Sequence, residues 1–166
     1  MGLIEPMIEE FKREADTTRK VLERIPEEHF AWKPHEKSMS MAALASHIAE
    51  SFQWVEAIVN SDEFEIDPEQ YKPYIAESRA ELLAVHDAAV AKALPAMQGR
   101  PDDQLLANWQ FKARGKVVLE MPRIAFLRGF VLSHLIHHRG QLTLYLRLKD
   151  VPLPQVYGPS ADEPGM

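Results

Sequence analysis

The placement of the twelve prolines restricts what this chain can fold into more than any other feature of its sequence. Proline disrupts the interior of a helix, so long helices are expected in the two longest proline-free windows, residues 35–67 and 123–151. Residues 151–166 hold four prolines and two glycines, which favours an extended tail.

Apolar side chains recur at three- and four-residue steps in four segments, as on the buried face of an amphipathic helix. These helices are predicted at about residues 3–25, 40–60, 78–97 and 122–149. Ser40 suits the N-cap of the second helix, Ser78 with Glu81 forms a capping box for the third, and Pro122 suits the first position of the fourth.

Residues 106–121 do not follow a helical pattern. Aromatic and β-branched side chains surround Arg114–Gly115, which indicates either a short hairpin or an irregular flap. The polar, proline-containing residues 61–77 are interpreted as a connector. Four helices that must each bury an apolar stripe favour an all-α fold, a four-helix bundle, in a single domain spanning residues 1–166.

Charge and composition exclude several function classes. The chain has 19 basic and 25 acidic residues and a net charge of −6, which argues against a nucleic-acid-binding protein. No signal peptide is recognised, and no uncharged run approaches the roughly 20 residues of a transmembrane helix, so a cytoplasmic protein is expected. Since cysteine is absent, any thiol used in chemistry must come from outside the protein.

The histidines are the most informative side chains. His134 and His138 are four residues apart on the fourth helix, a spacing typical of two ligands to one divalent metal ion. Leu135 stands where the metalloprotease motif requires glutamate, so that class does not apply. His47, at the edge of the apolar face of the second helix, is the candidate third ligand. Spacing alone leaves open that these histidines merely border the core.

Other polar side chains have competing interpretations. His86 could be a fourth ligand or a hydrogen-bonded core histidine, and Arg139 could attract a substrate carboxylate or form a surface salt bridge. Gln141 and Tyr145 lie on the same flank of the helix as His134 and are candidates to orient a ligand or an imidazole ring. Glu50, one turn after His47, is the carboxylate best placed to act as a general base.

Three sequence blocks resemble the DinB family of the DinB/YfiT-like superfamily: HLIHHRGQL at 134–142, ASHI at 45–48 and PLPQVYGPSADEP at 152–164. The resemblance extends over essentially the whole chain. It implies an up-down-down-up four-helix bundle, a homodimer, and a metal site formed by His47, His134 and His138 that holds nickel or zinc.

The resemblance also implies a class of chemistry, because the wider superfamily includes thiol-dependent S-transferases and isomerases. The leading hypothesis is an enzyme that uses its metal to activate a low-molecular-weight thiol for transfer to an electrophilic small molecule. Two alternatives remain: a metal-hydroxide hydrolase with Glu50 as base, and a non-enzymatic metal-binding module of the stress response. Nucleic acid and membrane are not expected partners.

Overall fold

The computed structural model describes residues 2–165 of the chain. This part contains seven α-helices and three strands. The helices are α1 (Ile4–Leu22), α2 (Met41–Ala49), α3 (Trp54–Asn60), α4 (Arg79–Met97), α5 (Asp102–Leu106), α6 (Arg123–Ala125) and α7 (His134–Arg147). A π-helical segment, Phe126–Ser133, joins α6 to α7, and 3₁₀ turns occupy Glu27–His29 and Ser51–Gln53. The apolar faces of α1, α2, α4 and α7 meet in the core. None of the described helices is long and apolar enough to cross a membrane.

The strands form one mixed sheet in the order β1–β2–β3. β1 (Glu63–Ile66) runs parallel to β2 (Asn108–Ala113), which pairs antiparallel with β3 (Lys116–Pro122). Arg114 and Gly115 connect β2 to β3 with φ values of 51° and 71°, as a two-residue type I′ turn requires. The register shifts between Phe111 and Lys112, which marks a β-bulge in the hairpin.

The predicted all-α four-helix bundle is wrong as a fold class, because residues 63–122 contribute a three-stranded mixed sheet. Of the two structures considered for residues 106–121, the chain adopts a hairpin. The connector predicted at 61–77 contains β1, whose sequence Glu-Phe-Glu-Ile alternates polar and apolar residues as a strand does. Its partner strand is more than forty residues away along the chain, so local patterns do not reveal the pairing.

Two of the predicted helices are interrupted. The single helix predicted at 40–60 is replaced by α2, a 3₁₀ turn and α3. α2 begins after Ser40, whose Oγ accepts a hydrogen bond from the Ala43 N–H. At the 3₁₀ turn the Ser51 hydroxyl donates to the His47 carbonyl oxygen, which competes with the helical bond to that oxygen. In the last helix the Ser133 hydroxyl donates to the Arg128 carbonyl oxygen five residues back, within the π-helical segment.

Candidate metal centre

Three histidine side chains meet where α2 packs against the start of α7. His47 lies on α2, and His134 and His138 lie on successive turns of α7. The Nε2 atom of His134 is 3.2 Å from that of His47 and 2.9 Å from that of His138. One nitrogen from each ring lies within 4.8 Å of the other two. The three residues selected from the sequence are therefore neighbours in space.

The spacing of these nitrogens suits coordination of a single ion. Two imidazole ligands about 2.0–2.1 Å from a metal, at tetrahedral or octahedral angles, have nitrogens roughly 2.9–3.4 Å apart. The two shortest separations, 2.9 and 3.2 Å, fall in that range. Without a proton or a cation between them, lone pairs this close would repel. The triad could thus hold a divalent metal ion and leave coordination positions open for water or substrate.

The local environment keeps two of the three histidines in the neutral form that metals bind. Burial, and then the neighbouring charge of His138, lower the pKa of His47. Burial, followed by the charges of His138, His47 and His137, lowers the pKa of His134 to about 4. At neutral pH both rings therefore offer a lone pair without first losing a proton.

Gln141 is hydrogen-bonded to one of the three histidines. Its Oε1 lies 2.7 Å from Nδ1 of His138, one turn earlier on α7. An amide oxygen can only accept, so Nδ1 donates the hydrogen bond and Nε2 carries the lone pair that faces the triad. The predicted orienting role thus falls on His138. Tyr145 lies elsewhere, with its hydroxyl donating to the Met39 carbonyl oxygen at 3.3 Å and its ring against Trp32.

A cavity of about 270 Å³ opens beside the triad, with His47 and His134 in its wall. The remaining lining residues are Glu50, Ser51, Gln53, Trp54, Ala57, Phe64, Tyr71 and Phe130. Glu50, the candidate base, lines this cavity one turn beyond His47, and burial raises the pKa of its carboxyl group. A possible proton acceptor, Glu50, and two candidate metal ligands, His47 and His134, therefore line the same cavity.

The sequence profile of the DinB family matches residues 3–165, nearly the full length of the chain. The chain belongs to the DinB family. It is 26% identical over 145 residues to the protein YjoA of Bacillus subtilis, covering 85% of this chain and 87% of that protein. It is 25% identical over 162 residues to YrdA of the same organism, covering 96% and 91%.

Solved DinB-like structures share the fold. A DinB-like protein from Bacillus cereus superposes with a TM-score of 0.72 at 22% identity, covering 92% of this chain and 97% of the other. The crystal structure of YjoA superposes with a TM-score of 0.67 at 21% identity, covering 98% of this chain and all of the other. The chain therefore shares its overall fold with these two DinB-like proteins.

Two further polar residues of this DinB chain lie away from the triad. His86 is buried on α4, where its Nε2 is 3.1 Å from the Ala15 carbonyl oxygen, so it is a hydrogen-bonded core histidine. Arg139 is also buried and forms an ion pair with Glu14 at 2.7 Å, and its guanidinium also donates to the Tyr157 hydroxyl in the tail. The expected surface salt bridge is thus an internal one that joins α7, α1 and the tail.

Sequence reasoning missed most of the cavity wall of this DinB-family site. Phe64 lies on β1, inside the segment interpreted as a connector, and Tyr71 follows it. Phe130 lies in the π-helical segment, and its ring stacks on His134 at 6.0 Å and 18°. The one available signal was the alternation around Phe64, which predicts a strand but not the surface it faces.

Proposed function

We propose that this DinB-family protein is a metal-dependent enzyme that transfers the sulfur of a low-molecular-weight thiol to an electrophilic small molecule. The supporting observation is the convergence of His47, His134 and His138 at the wall of a largely aromatic cavity. A divalent ion bound there would supply Lewis-acid chemistry, lowering the pKa of a thiol or water that coordinates to it. Because the chain has no cysteine, the thiol must be a cosubstrate.

The protein side chains have distinct roles in this proposal. The three histidines hold the ion, with nickel or zinc as the proposed metal because imidazole suits both. Gln141 fixes the tautomer of His138, and Glu50 can accept a proton released in the cavity. Abundant reduced thiols are a property of the cytosol, so the proposed location is cytoplasmic.

Glu50 also favours a second candidate function, hydrolysis by a metal-hydroxide mechanism. Burial raises the pKa of this carboxyl group, which moves it toward the neutral range where a general base works best. In this alternative water replaces the thiol as nucleophile, and the same triad and cavity serve an ester or amide substrate.

The two functions are separated by spectroscopy and product analysis. Cobalt- or nickel-loaded protein is titrated with cysteine and glutathione, and then supplied with an alkyl or aryl halide. Thiol transfer predicts a thiolate-to-metal charge-transfer band and a thioether detected by mass spectrometry, both lost in His47→Ala. If no thiol produces a band or a thioether, this function is wrong. Turnover of an ester or amide panel under the same conditions would support the hydrolase.

A further inference from the structure

The charge of the cavity wall limits what can bind beside the triad. Among the described residues that line the cavity there is no lysine or arginine, and Glu50 is its one carboxylate. Carboxylate and phosphate groups are normally held by cationic side chains, so the protein side chains offer an anionic substrate no charged partner. A cationic substrate would be attracted to aromatic faces, but the ion proposed at His47 and His134 would repel it at short range.

Trp54, Phe64 and Phe130, three aromatic side chains of the cavity, form one continuous surface. The Trp54 ring makes edge contacts with Phe64 at 5.1 Å and Phe130 at 5.2 Å, and Phe130 in turn stacks on His134. Phe64 is 37% exposed, so part of this surface faces solvent, and Tyr71, which also lines the cavity, is 52% exposed. Exposed aromatic area beside a polar centre favours a ligand that covers it with an apolar ring.

We infer that the cavity binds an uncharged aromatic electrophile, with its ring against Trp54, Phe64, Tyr71 and Phe130 and its reacting carbon toward His47 and His134. This inference rests on the proposed function for its reaction and, through the proposed ion, for the exclusion of cations, whereas the aromatic wall is independent of it. In the reaction, the thiol sulfur forms a bond to a carbon of the electrophile. The bond from that carbon to its leaving group breaks, the leaving group takes the electron pair, and the thiol proton passes to Glu50 or solvent.

Binding is tested with three probes of similar shape and different charge. Metal-free protein is titrated by calorimetry with 1,3-dinitrobenzene, 3-nitrobenzoate and (3-nitrophenyl)trimethylammonium, and the titrations are repeated with nickel-loaded protein. We expect the neutral probe to bind the metal-free protein about tenfold more tightly than 3-nitrobenzoate, and the nickel-loaded protein about tenfold more tightly than the trimethylammonium probe. A carboxylate can coordinate the ion itself, so 3-nitrobenzoate tests the side chains in the metal-free protein only. Tighter or equal binding of 3-nitrobenzoate to the metal-free protein, or of the trimethylammonium probe to the loaded protein, would overturn the inference.

Two exposed apolar residues of the same sheet provide a matched pair of variants. Phe64→Ser removes an aromatic ring from the cavity wall, and Val118→Ser changes a residue on β3 that does not line it. We expect Phe64→Ser to weaken dinitrobenzene binding about tenfold and Val118→Ser to leave it unchanged. Circular dichroism verifies that both variants are folded. Equal affinities in the two variants would contradict the assignment of the wall.

Turnover distinguishes the two proposals. Nickel-loaded protein is supplied with glutathione and 1-chloro-2,4-dinitrobenzene, and thioether formation is followed by absorbance. Selective binding of dinitrobenzene without thioether formation would overturn the proposed function and leave the aromatic site standing. Thioether formation that is unaffected by Phe64→Ser would support the function and overturn the aromatic site.

Discussion

At the residue scale, two adjacent histidines on α7 differ in what they face. The Nε2 of His138 lies 2.9 Å from that of His134, whereas the exposed His137 is outside the triad. We therefore expect His138→Ala to lose most of its metal after loading with nickel or zinc and dialysis, while His137→Ala keeps it. Elemental analysis of both variants measures this difference. Equal metal content in wild type and His138→Ala would remove the triad as the metal site.

Gln141 tests whether the tautomer of a ligand matters. Its Oε1 accepts from Nδ1 of His138 at 2.7 Å, so Gln141→Leu removes the acceptor that directs the lone pair of Nε2 toward the triad. We expect a loss of metal affinity of about 10–100-fold, measured by competition with a chelator. Gln141→Glu preserves an acceptor at the same reach and should keep the affinity near that of wild type. Similar losses in both variants would mean that the hydrogen-bond acceptor at position 141 does not set the metal affinity.

At the element scale, the Arg114–Gly115 turn is built from one residue poorly suited to it. Both residues have positive φ, and for arginine this left-handed conformation costs about 1 kcal/mol more than for asparagine. Arg114→Asn should raise the free energy of unfolding by roughly that amount, because the exposed ion pair of Arg114 with Glu69 contributes little. Urea unfolding measures the change, and Glu69→Gln isolates the ion pair. A destabilised Arg114→Asn with a neutral Glu69→Gln would contradict the turn argument.

The buried pair of Arg139 and Glu14 joins α7, α1 and the tail. Arg139 is 1% exposed, and its guanidinium donates to Glu14, Thr18 and Tyr157. Arg139→Met leaves a carboxylate buried without its partner and should cost about 3–5 kcal/mol of unfolding free energy. The double variant Arg139→Met/Glu14→Leu should recover part of that loss in the same urea titration. Additive losses would show that the pair is not coupled.

The helices and the strands differ in how well they can be predicted from the sequence. The hydrogen bonds that begin α2 and α4 are local: Ser40 Oγ accepts from Ala43 N–H, and Ser78 Oγ accepts from Glu81 N–H. Such contacts within one turn can be predicted from neighbouring residues. The strand at Glu63–Ile66 exists through its pairing with β2, which depends on chain segments far apart. This is why the sequence predicts the main helices and allows a hairpin at residues 106–121, but does not predict the pairing of β1, nor with it the fold class.

At the scale of the whole molecule, the site also combines local features that the sequence predicts with contacts between distant segments that it does not. The histidine triad combines one local pair on α7 with His47 on α2, and it was selected from spacing and family resemblance. The aromatic wall brings together α3, β1, the connector after β1 and the π-helical segment. No single segment contains a pattern for such a surface. Ligands that share a motif can thus be predicted, whereas a binding wall assembled from distant segments requires the structure.

Folding stability should also depend on pH through a histidine that has no part in the site. His86 is 1% exposed, and burial, the largest influence on it, lowers its pKa below the ordinary 6.5 in the folded state. The bond to the Ala15 carbonyl oxygen opposes this shift, as does the charge of Asp87. In residues 2–165 the Nδ1 atom has no hydrogen-bond partner, so a proton there would be a buried, unsatisfied donor.

The sign of the effect follows from where the proton binds. Below about pH 6.5 the unfolded chain takes up a proton at His86 that the folded protein does not, so the free energy of unfolding falls as pH falls. His86→Gln retains an N–H donor for the Ala15 carbonyl oxygen and removes the titration. Urea unfolding of metal-free protein between pH 7.5 and 5 should therefore show a shallower loss of stability in His86→Gln than in wild type. The lowered pKa values of His47 and His134 also make stability depend on pH, but they do so equally in wild type and in His86→Gln. If the free energy of unfolding falls with pH in parallel for the two proteins, burial does not suppress protonation of His86.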